Sequence, residues 1–468
     1  MSKINPQTFL FENEIDMRGR EIDPRLLYEI GRNMVKRFSL SKTLPCIVTG
    51  GDSRKDTKEL LYNLEEGILA EKGIVISVGS DVPKAVAYFA GELYNSNGVS
   101  YVTASHINAK SNGIKFKIFD RTPKMSLIES KKMSISDNAL KNYEDYLINY
   151  FSSIGLGQRV LIDSLYGTSS GIAGRVFEKI GFKVTPLHDT LDRNFSQLYD
   201  QSPDPHELRN LEELMELAKV TGTIGFAFDG DSDRATIINK NGQKIGEDEI
   251  TMIISEYLIK KSLQKKSEKP IVVYDIKCSN AVREVVEKSG GVAIMQKTGW
   301  QNIKRKMNEL NALFGGEVSG HNFYGKEVYY VPNGDDGLFT GLMISKIIHE
   351  SGKSLDELIA SFPKYSTSQE FRIRYNEERN NYLVKHMNNS FSEEGYGIVL
   401  LDDDLRIEKY DSSGLWQYWM LVRTSKTEPE KLTIRFEGRG QSELNRAITE
   451  FKNKIPKDFL GLKEKLPN

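Results

Sequence analysis

The chain contains 468 residues, of which 39% are hydrophobic and 28% charged, a length that accommodates about three globular domains. Its 64 Lys and Arg residues balance 65 Asp and Glu residues and no long apolar run occurs, so we expect small molecules as partners rather than nucleic acid or membranes. Residues 1–10 lack the pattern of an export signal, and the two cysteines, Cys46 and Cys278, support neither a disulfide framework nor a zinc site, so we expect a cytoplasmic location.

Much of the chain repeats one pattern, in which an apolar β-branched run leads into a polar loop and then into a helix-period segment. The predicted strands, each with its helix, are residues 46–49 with 58–69, residues 160–163 with 172–180, and residues 271–274 with 281–287. These units begin about 110 residues apart, which indicates three α/β domains of one design.

Further apolar runs alternate with helical segments, at residues 74–78, 182–184 and 292–295. This alternation predicts mainly parallel, mixed sheets covered by helices, in which ligands gather at the strand ends. After Phe362 the pattern changes, and it predicts a smaller α+β domain with an antiparallel sheet. Its predicted helix covers residues 376–388, and its strands cover residues 371–374, 397–401, 418–423 and 432–436.

The predicted domains are residues 1–150, 151–262, 263–366 and 367–468. We expect the lysine-rich segment 260–269 to join the second domain to the third, as a solvated helix end.

Four loops at predicted strand ends carry side chains suited to catalysis or binding, and the first is Thr103-Ala104-Ser105-His106. A serine beside a histidine and near Lys115 can act as a phosphoryl carrier, or as a nucleophile with proton-transfer partners. Taken alone the pattern is weak, because Ser-His neighbours are common in turns.

The second loop, Asp229-Gly230-Asp231-Ser232-Asp233-Arg234, directly follows the apolar residues 224–228. Three carboxylates at alternate positions repel one another unless a cation lies among them, and oxygen ligands on a short turn suit Mg²⁺. An EF-hand is excluded, because it requires Gly at its sixth position and Glu at its twelfth, where this chain has Arg234 and Lys240. A phosphatase with an aspartate nucleophile remains open at this point.

The third loop, Gly315-Gly316-Glu317-Val318-Ser319-Gly320-His321, follows the apolar residues 312–314. Its Glu and Ser offer acceptors and a donor to a polyhydroxylated ligand, and its glycines leave room for the approach. A glycine-rich turn closed by local hydrogen bonds is an equally good explanation of this loop alone.

The fourth loop, Arg423-Thr424-Ser425-Lys426-Thr427-Glu428-Pro429, follows a strand-like run. Two cations, three hydroxyls and exposed turn amides form a compact anion site, in which the arginine can fork onto a phosphate. The alternative is an ordinary solvated hairpin. No Walker or GxGxxG motif accompanies the four loops, so nucleotide binding is not expected.

Taken together and in this order, the four loops resemble the α-D-phosphohexomutase family, and the resemblance covers nearly the whole chain. It is strongest to the bacterial phosphomannomutase/phosphoglucomutases. Further motifs that fit the family are Asp16-Met17-Arg18-Gly19, Gly51-Asp52-Ser53-Arg54, Asp275-Ile276-Lys277-Cys278-Ser279, Lys297-Thr298-Gly299, Ile303-Lys304-Arg305-Lys306-Met307 and Asp335-Asp336-Gly337.

The resemblance implies a heart-shaped molecule with four domains around a central cleft. It implies an isomerase that interconverts the 1- and 6-phosphates of mannose or glucose, with a hexose 1,6-bisphosphate as intermediate and activator. The expected partners are hexose phosphates, and the expected assembly is a monomer or a weak homodimer.

The same resemblance assigns roles to residues of this chain. Ser105 would carry the phosphoryl group, and Mg²⁺ would be held by Ser105, Asp229, Asp231 and Asp233. The further catalytic residues would be His106, Lys115, Arg18 and Arg234. The substrate-binding residues would be Lys297, Trp300, Glu317, Ser319, His321, Arg423, Ser425, Lys426 and Thr427.

The chain departs from the family pattern at four places. Ile15 replaces an aromatic residue, Ile107 and Asn108 follow His106 in place of Asn-Pro, Trp300 replaces a histidine, and Lys426 replaces an asparagine. Because the core groups remain, we expect altered specificity rather than lost activity.

Two alternatives stay open. A phosphoglucosamine mutase would use the same residues on an amino sugar, although it usually carries a polar residue where Val318 stands. A sugar-phosphate-binding regulator without turnover is the other alternative, and Ile107 and Trp300 motivate it.

Overall fold

The structure, a computed structural model, describes residues 5, 14–19, 22–38, 43–119, 121, 123, 129–424 and 430–467. The chain divides into two compact units, Met1–Gly246 with Ser319–Leu358, and Glu247–Val318 with Ile359–Asn468. Within the described ranges, no helix combines the length and the apolar character needed to cross a bilayer.

The strands are β1 (Glu14–Gly19), β2 (Cys46–Gly51), β3 (Ile74–Ser77), β4 (Gly98–Val102), β5 (Asn112–Ile118), β6 (Lys132–Ser134), β7 (Arg159–Asp163), β8 (Lys183–Leu187), β9 (Gly225–Phe228), β10 (Ala235–Ile238), β11 (Ile271–Asp275), β12 (Val292–Gln296), β13 (Phe314–Gly316), β14 (Asn322–Tyr324), β15 (Gly334–Asp335), β16 (Ser366–Thr367), β17 (Phe371–Arg374), β18 (Gly397–Leu401), β19 (Asp404–Tyr410), β20 (Trp416–Thr424) and β21 (Lys431–Gly438).

The helices are α1 (Pro24–Lys36), α2 (Thr57–Ala70), α3 (Lys84–Leu93), α4 (Ser136–Tyr150), α5 (Ala173–Ile180), α6 (Leu208–Thr221), α7 (Glu247–Leu263), α8 (Asn280–Lys288), α9 (Trp300–Leu310), α10 (Gly337–Ser351), α11 (Leu355–Ala360), α12 (Glu377–Ser392), α13 (Gln441–Lys454) and α14 (Leu460–Lys465).

Side-chain caps explain where several helices begin. Asp23 before α1, Ser279 before α8, Asp336 before α10 and Asn376 before α12 each accept a hydrogen bond from a backbone N–H two or three residues later. Such caps satisfy N–H groups that have no partner within the helix, and each stabilises the start of its helix by about 1 kcal/mol.

The first unit contains two sheets. The first has the strand order β1-β5-β4-β2-β3-β6, in which β2 pairs in parallel with β3 and β4, while β5 is antiparallel to β1 and β4. The second has the order β10-β9-β7-β8, with only β10 antiparallel. Central strands such as β2 are buried throughout, as expected where helices cover both faces.

In the second unit, β12, β11 and β13 form parallel pairs, and β16 to β21 form an antiparallel sheet. Along β20, Tyr418 and Met420 join the core beneath α12 and α13, whereas Trp419 and Leu421 pack with Ile276 on the opposite face. Successive side chains of β20 therefore point to opposite faces of the sheet, and both faces are buried.

The predicted class of three α/β domains followed by a smaller α+β domain is confirmed. The predicted boundary between residues 262 and 263 falls at the end of α7, whereas the two units divide between Gly246 and Glu247. The cause is that α7 packs against α8 and β13 of the second unit, and residues 260–263 form its last turn.

Candidate active site

Ser105 lies just after β4 and is 1% exposed. Its Oγ donates a hydrogen bond to Asp229 Oδ2 at 2.8 Å, and its backbone N–H donates to Thr103 Oγ1 at 2.7 Å. Its φ is +53°, a left-handed conformation that is uncommon outside glycine and is held here by the surrounding contacts. The serine is therefore presented to the aspartate loop by a strained, fixed turn.

A fully buried arginine holds the serine loop from beneath. The Nε of Arg54 donates to Asp52 Oδ2 at 3.0 Å, and Asp52 also accepts from the hydroxyls of Thr57 and Thr103. The remaining nitrogens of Arg54 donate to the carbonyl oxygens of Ser105, Ile107, Asn108 and Ser111. Ile107 contributes its carbonyl to this network, which any residue can supply, so the departure from the family pattern leaves the anchor intact.

The aspartate loop joins β9 to β10 and touches the serine loop. Asp229 Oδ1 accepts the backbone N–H groups of Asp233 and Arg234, at 3.0 and 3.1 Å. Gly230 is required at its position, because a Cβ there would lie 2.8 Å from the carbonyl oxygen of Ser105. The glycine thus permits the two loops to meet.

The three carboxylates fit a metal ion. Asp229, Asp231 and Asp233 each offer an oxygen, and these atoms lie within 4.8 Å of one another. Among the described residues, Asp231 Oδ1 and Asp233 Oδ1 are buried without a hydrogen-bond partner. Buried carboxylate oxygens without hydrogen bonds are costly unless a cation occupies the space between them, and a set of oxygen donors suits a hard divalent cation.

Two buried lysines neutralise part of this acidic cluster. Lys115 Nζ, from β5, lies 2.7 Å from Asp231 Oδ2 and 2.6 Å from Asp233 Oδ2. Lys84 Nζ, from α3, lies 2.6 Å from Asp233 Oδ2 and 2.8 Å from Asp335 Oδ2. Burial opposes the charge of both ammonium groups, but the carboxylates outweigh it and raise the pKa of Lys115 and, further, that of Lys84.

The carboxylates respond to these neighbours in opposite directions. Burial raises the pKa of Asp229 to about 6, with the charge of Arg234 opposing the shift and Asp233 and Asp231 adding to it. Burial also disfavours the charge of Asp233, but Lys115 and Lys84 outweigh it and hold the pKa of Asp233 well below its ordinary value.

Arg234 links three parts of the site. Its Nε and Nη2 contact Asp229 Oδ2 at 3.0 and 2.8 Å, and Nη2 also lies 3.3 Å from Ser105 Oγ. Its Nη1 donates to the carbonyl oxygen of Ser319 at 3.2 Å. His321, two residues further on, lies with its Nδ1 2.9 Å from Asp335 Oδ2. The structure thus brings Ser319 and His321 to the aspartate loop.

Two further predicted residues lie on this side of the first unit. Arg18, on β1, pairs with Asp16 at 2.8 Å, and Asp16 stands opposite Lys115 in the sheet. Ile15 is 4% exposed and belongs to the core, so this side chain, which departs from the family pattern, faces away from these charges.

His106 Nδ1 is buried and has no hydrogen-bond partner within the described ranges. Burial and the charges of Arg234 and Arg18 hold the pKa of His106 well below its ordinary value.

The second unit brings together a separate set of predicted residues. Glu317 is buried after β13, and its Oε1 accepts the backbone N–H of Gly299 at 2.6 Å. Trp300 begins α9 one residue later, with the ammonium of Lys304 lying 4.7 Å from its ring centroid. Lys297 is buried and its Nζ lies 3.1 Å from Asp402 Oδ2.

Arg423, near the end of β20, lies opposite Asp404 in the sheet, and their side chains pair at 3.3 Å. Burial raises the pKa of Asp404, although Arg423 and Lys297 oppose the shift. Lys297 and Arg423 therefore act on one carboxylate. Ser425, Lys426 and Thr427 lie outside the described residues.

Sequence reasoning missed four residues that build the site in the first unit. Asp52 and Arg54 were matched to a family motif without a role, and the available signal was an acid and a base at the end of a buried strand. Lys84 lies in no motif, and Asp335 belongs to the motif Asp335-Asp336-Gly337, which was given no role, because only the fold brings the two residues to Asp233.

Comparison with protein families supports these observations. The models for alpha/beta/alpha domains I, II and III of phosphoglucomutase/phosphomannomutase match residues 13–142, 141–242 and 246–365. Together these matches cover most of the chain.

Individual proteins agree. The chain is 28% identical over 450 residues to the phosphomannomutase/phosphoglucomutase of Pseudomonas aeruginosa, with 93% of each chain covered. It is 28% identical over 463 residues to the phosphomannomutase of Methanocaldococcus jannaschii, with 94% of this chain and 95% of that protein covered. A crystal structure of a phosphoglucomutase/phosphomannomutase family protein from Burkholderia thailandensis superposes with a TM-score of 0.79 at 25% identity, covering 96% of this chain and 97% of that one. The chain belongs to the α-D-phosphohexomutase family.

Proposed function

We propose that this isomerase interconverts the 1- and 6-phosphates of mannose, glucose or both, through a phosphoserine at Ser105. The observation that carries the proposal is the contact between Ser105 Oγ and Asp229, inside a cluster of three aspartates and beside Arg234. Relatives named for mannose and glucose phosphates support the choice of sugars.

Asp229, Asp231 and Asp233, with an oxygen at Ser105, would hold Mg²⁺, which supplies positive charge against the oxygens of the phosphoryl group. The residues around them define the rest of the chemistry. Arg234 contacts both Ser105 and Asp229, and so it can neutralise charge that develops on the phosphoryl oxygens as they move between serine and sugar. Arg18, on β1 beside Lys115 and β5, adds a second cation.

The phosphoryl group leaves Ser105 for a free sugar hydroxyl and forms a hexose 1,6-bisphosphate. The hydroxyl must give up its proton as the new P–O bond forms. His106 is suited to accept it, because its imidazole is neutral and its Nδ1 has no hydrogen-bond partner in the described parts of the chain. Each oxygen that a phosphoryl group leaves, Ser105 Oγ first and the sugar oxygen second, takes up one proton. Lys115 stays charged between two aspartates, and so it is suited to donate that proton. The second phosphoryl group then returns to Ser105, which restores the enzyme.

Glu317 and Lys297 would bind the sugar hydroxyls and the phosphate of the substrate, with Trp300 covering a sugar face. Ser319 and His321 would also bind the substrate, and Arg423, Ser425, Lys426 and Thr427 would bind the phosphate that does not react. Binding energy from that remote phosphate can be used to orient the reacting end. Activation by a hexose 1,6-bisphosphate, a monomer or weak homodimer, and a cytoplasmic location stay predictions.

The test mixes purified protein with Mg²⁺, glucose 1,6-bisphosphate and mannose, glucose or glucosamine 1-phosphate, and measures 6-phosphate formation. We expect turnover of mannose or glucose, and Ser105→Ala should reduce it at least about 10³-fold because the phosphoryl carrier is lost. Turnover of glucosamine 1-phosphate alone would favour the amino-sugar alternative.

Intact mass provides an independent readout. The resting protein should carry a phosphate adduct that disappears in Ser105→Ala and persists in Ser100→Ala, which removes a buried hydroxyl five residues earlier. Absence of both the adduct and any turnover would support a regulator without catalysis and contradict the proposal.

A further inference from the structure

Lys84 occupies an unusual place for a lysine. It is the first residue of α3 and is 3% exposed. Its ammonium contacts Asp233 at 2.6 Å and Asp335 at 2.8 Å, and its backbone N–H donates to the carbonyl oxygen of Asp231 at 3.0 Å. A buried lysine costs free energy unless its charge is compensated, so this geometry exists because the acidic cluster compensates it.

The charges around the metal position nearly cancel within the protein. Four carboxylates take part, and they face three fixed cations before any charge on His321 is counted. The carboxylates belong to Asp229, Asp231, Asp233 and Asp335, and the cations to Lys84, Lys115 and Arg234. Without Lys84, four close carboxylates would face only two cations.

The lysines also decide which oxygens remain for a metal. Lys84 and Lys115 both contact Asp233 Oδ2, which leaves Oδ1 without a hydrogen-bond partner within the described ranges. The carboxylate is therefore held with one oxygen against the lysines, while the other makes longer ion-pair contacts, 3.7 Å to Arg234 Nε and 3.9 Å to His321 Nδ1. The same ammonium that orients Asp233 also repels a divalent cation placed among the aspartates.

We propose that Lys84 is a built-in counter-cation of the metal site, which sets the affinity of the three aspartates for a divalent cation and keeps the cluster ordered when no metal is bound. The inference rests on the proposed function only in taking the three aspartates as the metal ligands. It adds a residue outside the sequence motifs that tunes how readily the metal binds and leaves.

This role makes a prediction that mere structural support does not. If Lys84 only supports the loop, its removal loosens the ligands and weakens metal binding. If it supplies counter-charge, its removal leaves an excess of negative charge that the metal itself relieves, so binding becomes tighter. The metal-free protein should at the same time lose stability, because like charges are left uncompensated.

The test compares Lys84→Met with the unaltered lysine, both in full-length Ser105→Ala protein so that phosphorylation does not vary. Isothermal titration with MgCl₂ and with MnCl₂ should show at least tenfold tighter binding in the methionine variant. Its melting temperature should fall in EDTA and recover on addition of Mg²⁺. Lys84→Arg, which keeps the charge, should bind the metal within about threefold of the unaltered protein.

Lys132→Met is the matched control. Lys132 pairs with the buried Glu65 elsewhere in the first unit, so the same substitution breaks an ion pair without touching the aspartates. We expect it to lower the melting temperature, to leave metal affinity unchanged, and to show no rescue by Mg²⁺ beyond that of the unaltered protein.

Metal binding that is weaker or unchanged in Lys84→Met would overturn the inference, and so would the absence of divalent cation binding in both proteins. Neither result depends on turnover. A failure of the proposed function would instead appear as missing mutase activity and a missing phosphate adduct in the protein that retains Ser105.

Discussion

Two fully buried arginines, one in each unit, hold loops at strand ends, and their hydrogen bonds are satisfied to different degrees. Every guanidinium nitrogen of Arg54 donates a hydrogen bond, to Asp52 or to carbonyls of the serine loop. Arg406 donates to Glu408 and to the carbonyls of Ile276 and Cys278, but its Nη2 has no hydrogen-bond partner in the described parts of the chain. The serine loop, which is proposed to carry the phosphoryl group, is thus anchored more completely than the loop after β11.

The surrounding charges differ in the same way. In the first unit, Lys84 and Lys115 are buried against buried carboxylates. In the second unit, Lys297 pairs with Asp402, whose side chain is 64% exposed. An exposed partner contributes little fixed orientation, since water competes for it. The comparison teaches that the residues proposed for chemistry are held by a closed network, whereas Lys297, which is proposed for recognition, keeps a contact that can exchange with a ligand.

The largest effect should come from breaking the closed network. Arg54→Met leaves Asp52 buried without its charge partner and releases four loop carbonyls, so we expect the free energy of unfolding to fall by about 3–5 kcal/mol, with loss of activity. Urea unfolding measures the loss, and hydrogen exchange of residues 103–111 should show the loop opening.

Arg406→Met serves as its counterpart. It removes fewer hydrogen bonds, so the loss in free energy of unfolding should be smaller, and increased exchange should be confined to residues 276–280. Equal losses in the two variants would contradict the comparison.

These anchors mark the limit of sequence reasoning. The strands and helices that the sequence predicts in the three α/β domains lie within a few residues of the observed ones, because the spacing of apolar residues and the composition of loops are local properties. The three aspartates and Ser105 were predicted as site residues for the same reason, since each motif lies within six consecutive residues.

The partners of these motifs could not be predicted. Lys84 is 149 residues from Asp233 and 251 from Asp335, and no local pattern connects positions so far apart. The predicted boundary at residue 262 differs from the division of the chain at Gly246 for a related reason, because α7 packs against α8 and β13 and so groups with the residues that follow it.

A smaller effect is expected from a recognition residue of the second unit. Glu317→Gln removes the charge of a buried carboxylate but can keep the hydrogen bond to Gly299, so the fold should persist. We expect kcat/KM for the hexose phosphate to fall about 10- to 100-fold, as for loss of a charged hydrogen bond. The phosphate adduct on Ser105 should remain.

Glu309→Gln is the matched control for that variant. Glu309 is exposed near the end of α9 and pairs with Lys306, so the same substitution should leave kcat/KM unchanged. Loss of the phosphate adduct in Glu317→Gln would contradict the assignment of Glu317 to substrate recognition alone.

A change in sugar preference should be smaller still. Trp300→His restores the residue usual in the family and removes the ring beneath Lys304. We expect the ratio of kcat/KM for mannose 1-phosphate to that for glucose 1-phosphate to change by up to about 10-fold, because a pocket wall discriminates by only a few contacts. The free energy of unfolding should stay the same. An unchanged ratio would remove Trp300 from the residues that determine specificity.

The smallest effect is expected from a charge pair away from the site, in the second sheet of the first unit, where His188 contributes to the free energy of unfolding. His188 Nδ1 lies 3.0 Å from the buried Asp163, and its Nε2 lies 3.4 Å from the largely exposed Glu213. The hydrogen bond to Asp163 raises the pKa of His188, with burial opposing the shift.

A raised pKa of His188 in the folded state means that its contribution to stability is fully present below the unfolded pKa of about 6.5 and is lost as pH rises through the folded pKa. The difference in free energy of unfolding between the unaltered protein and His188→Gln should therefore be larger at pH 6 than at pH 9, and below about 1 kcal/mol because the pair is partly exposed. Urea unfolding at the two pH values measures it, and a difference independent of pH would assign the contribution of His188 to packing instead.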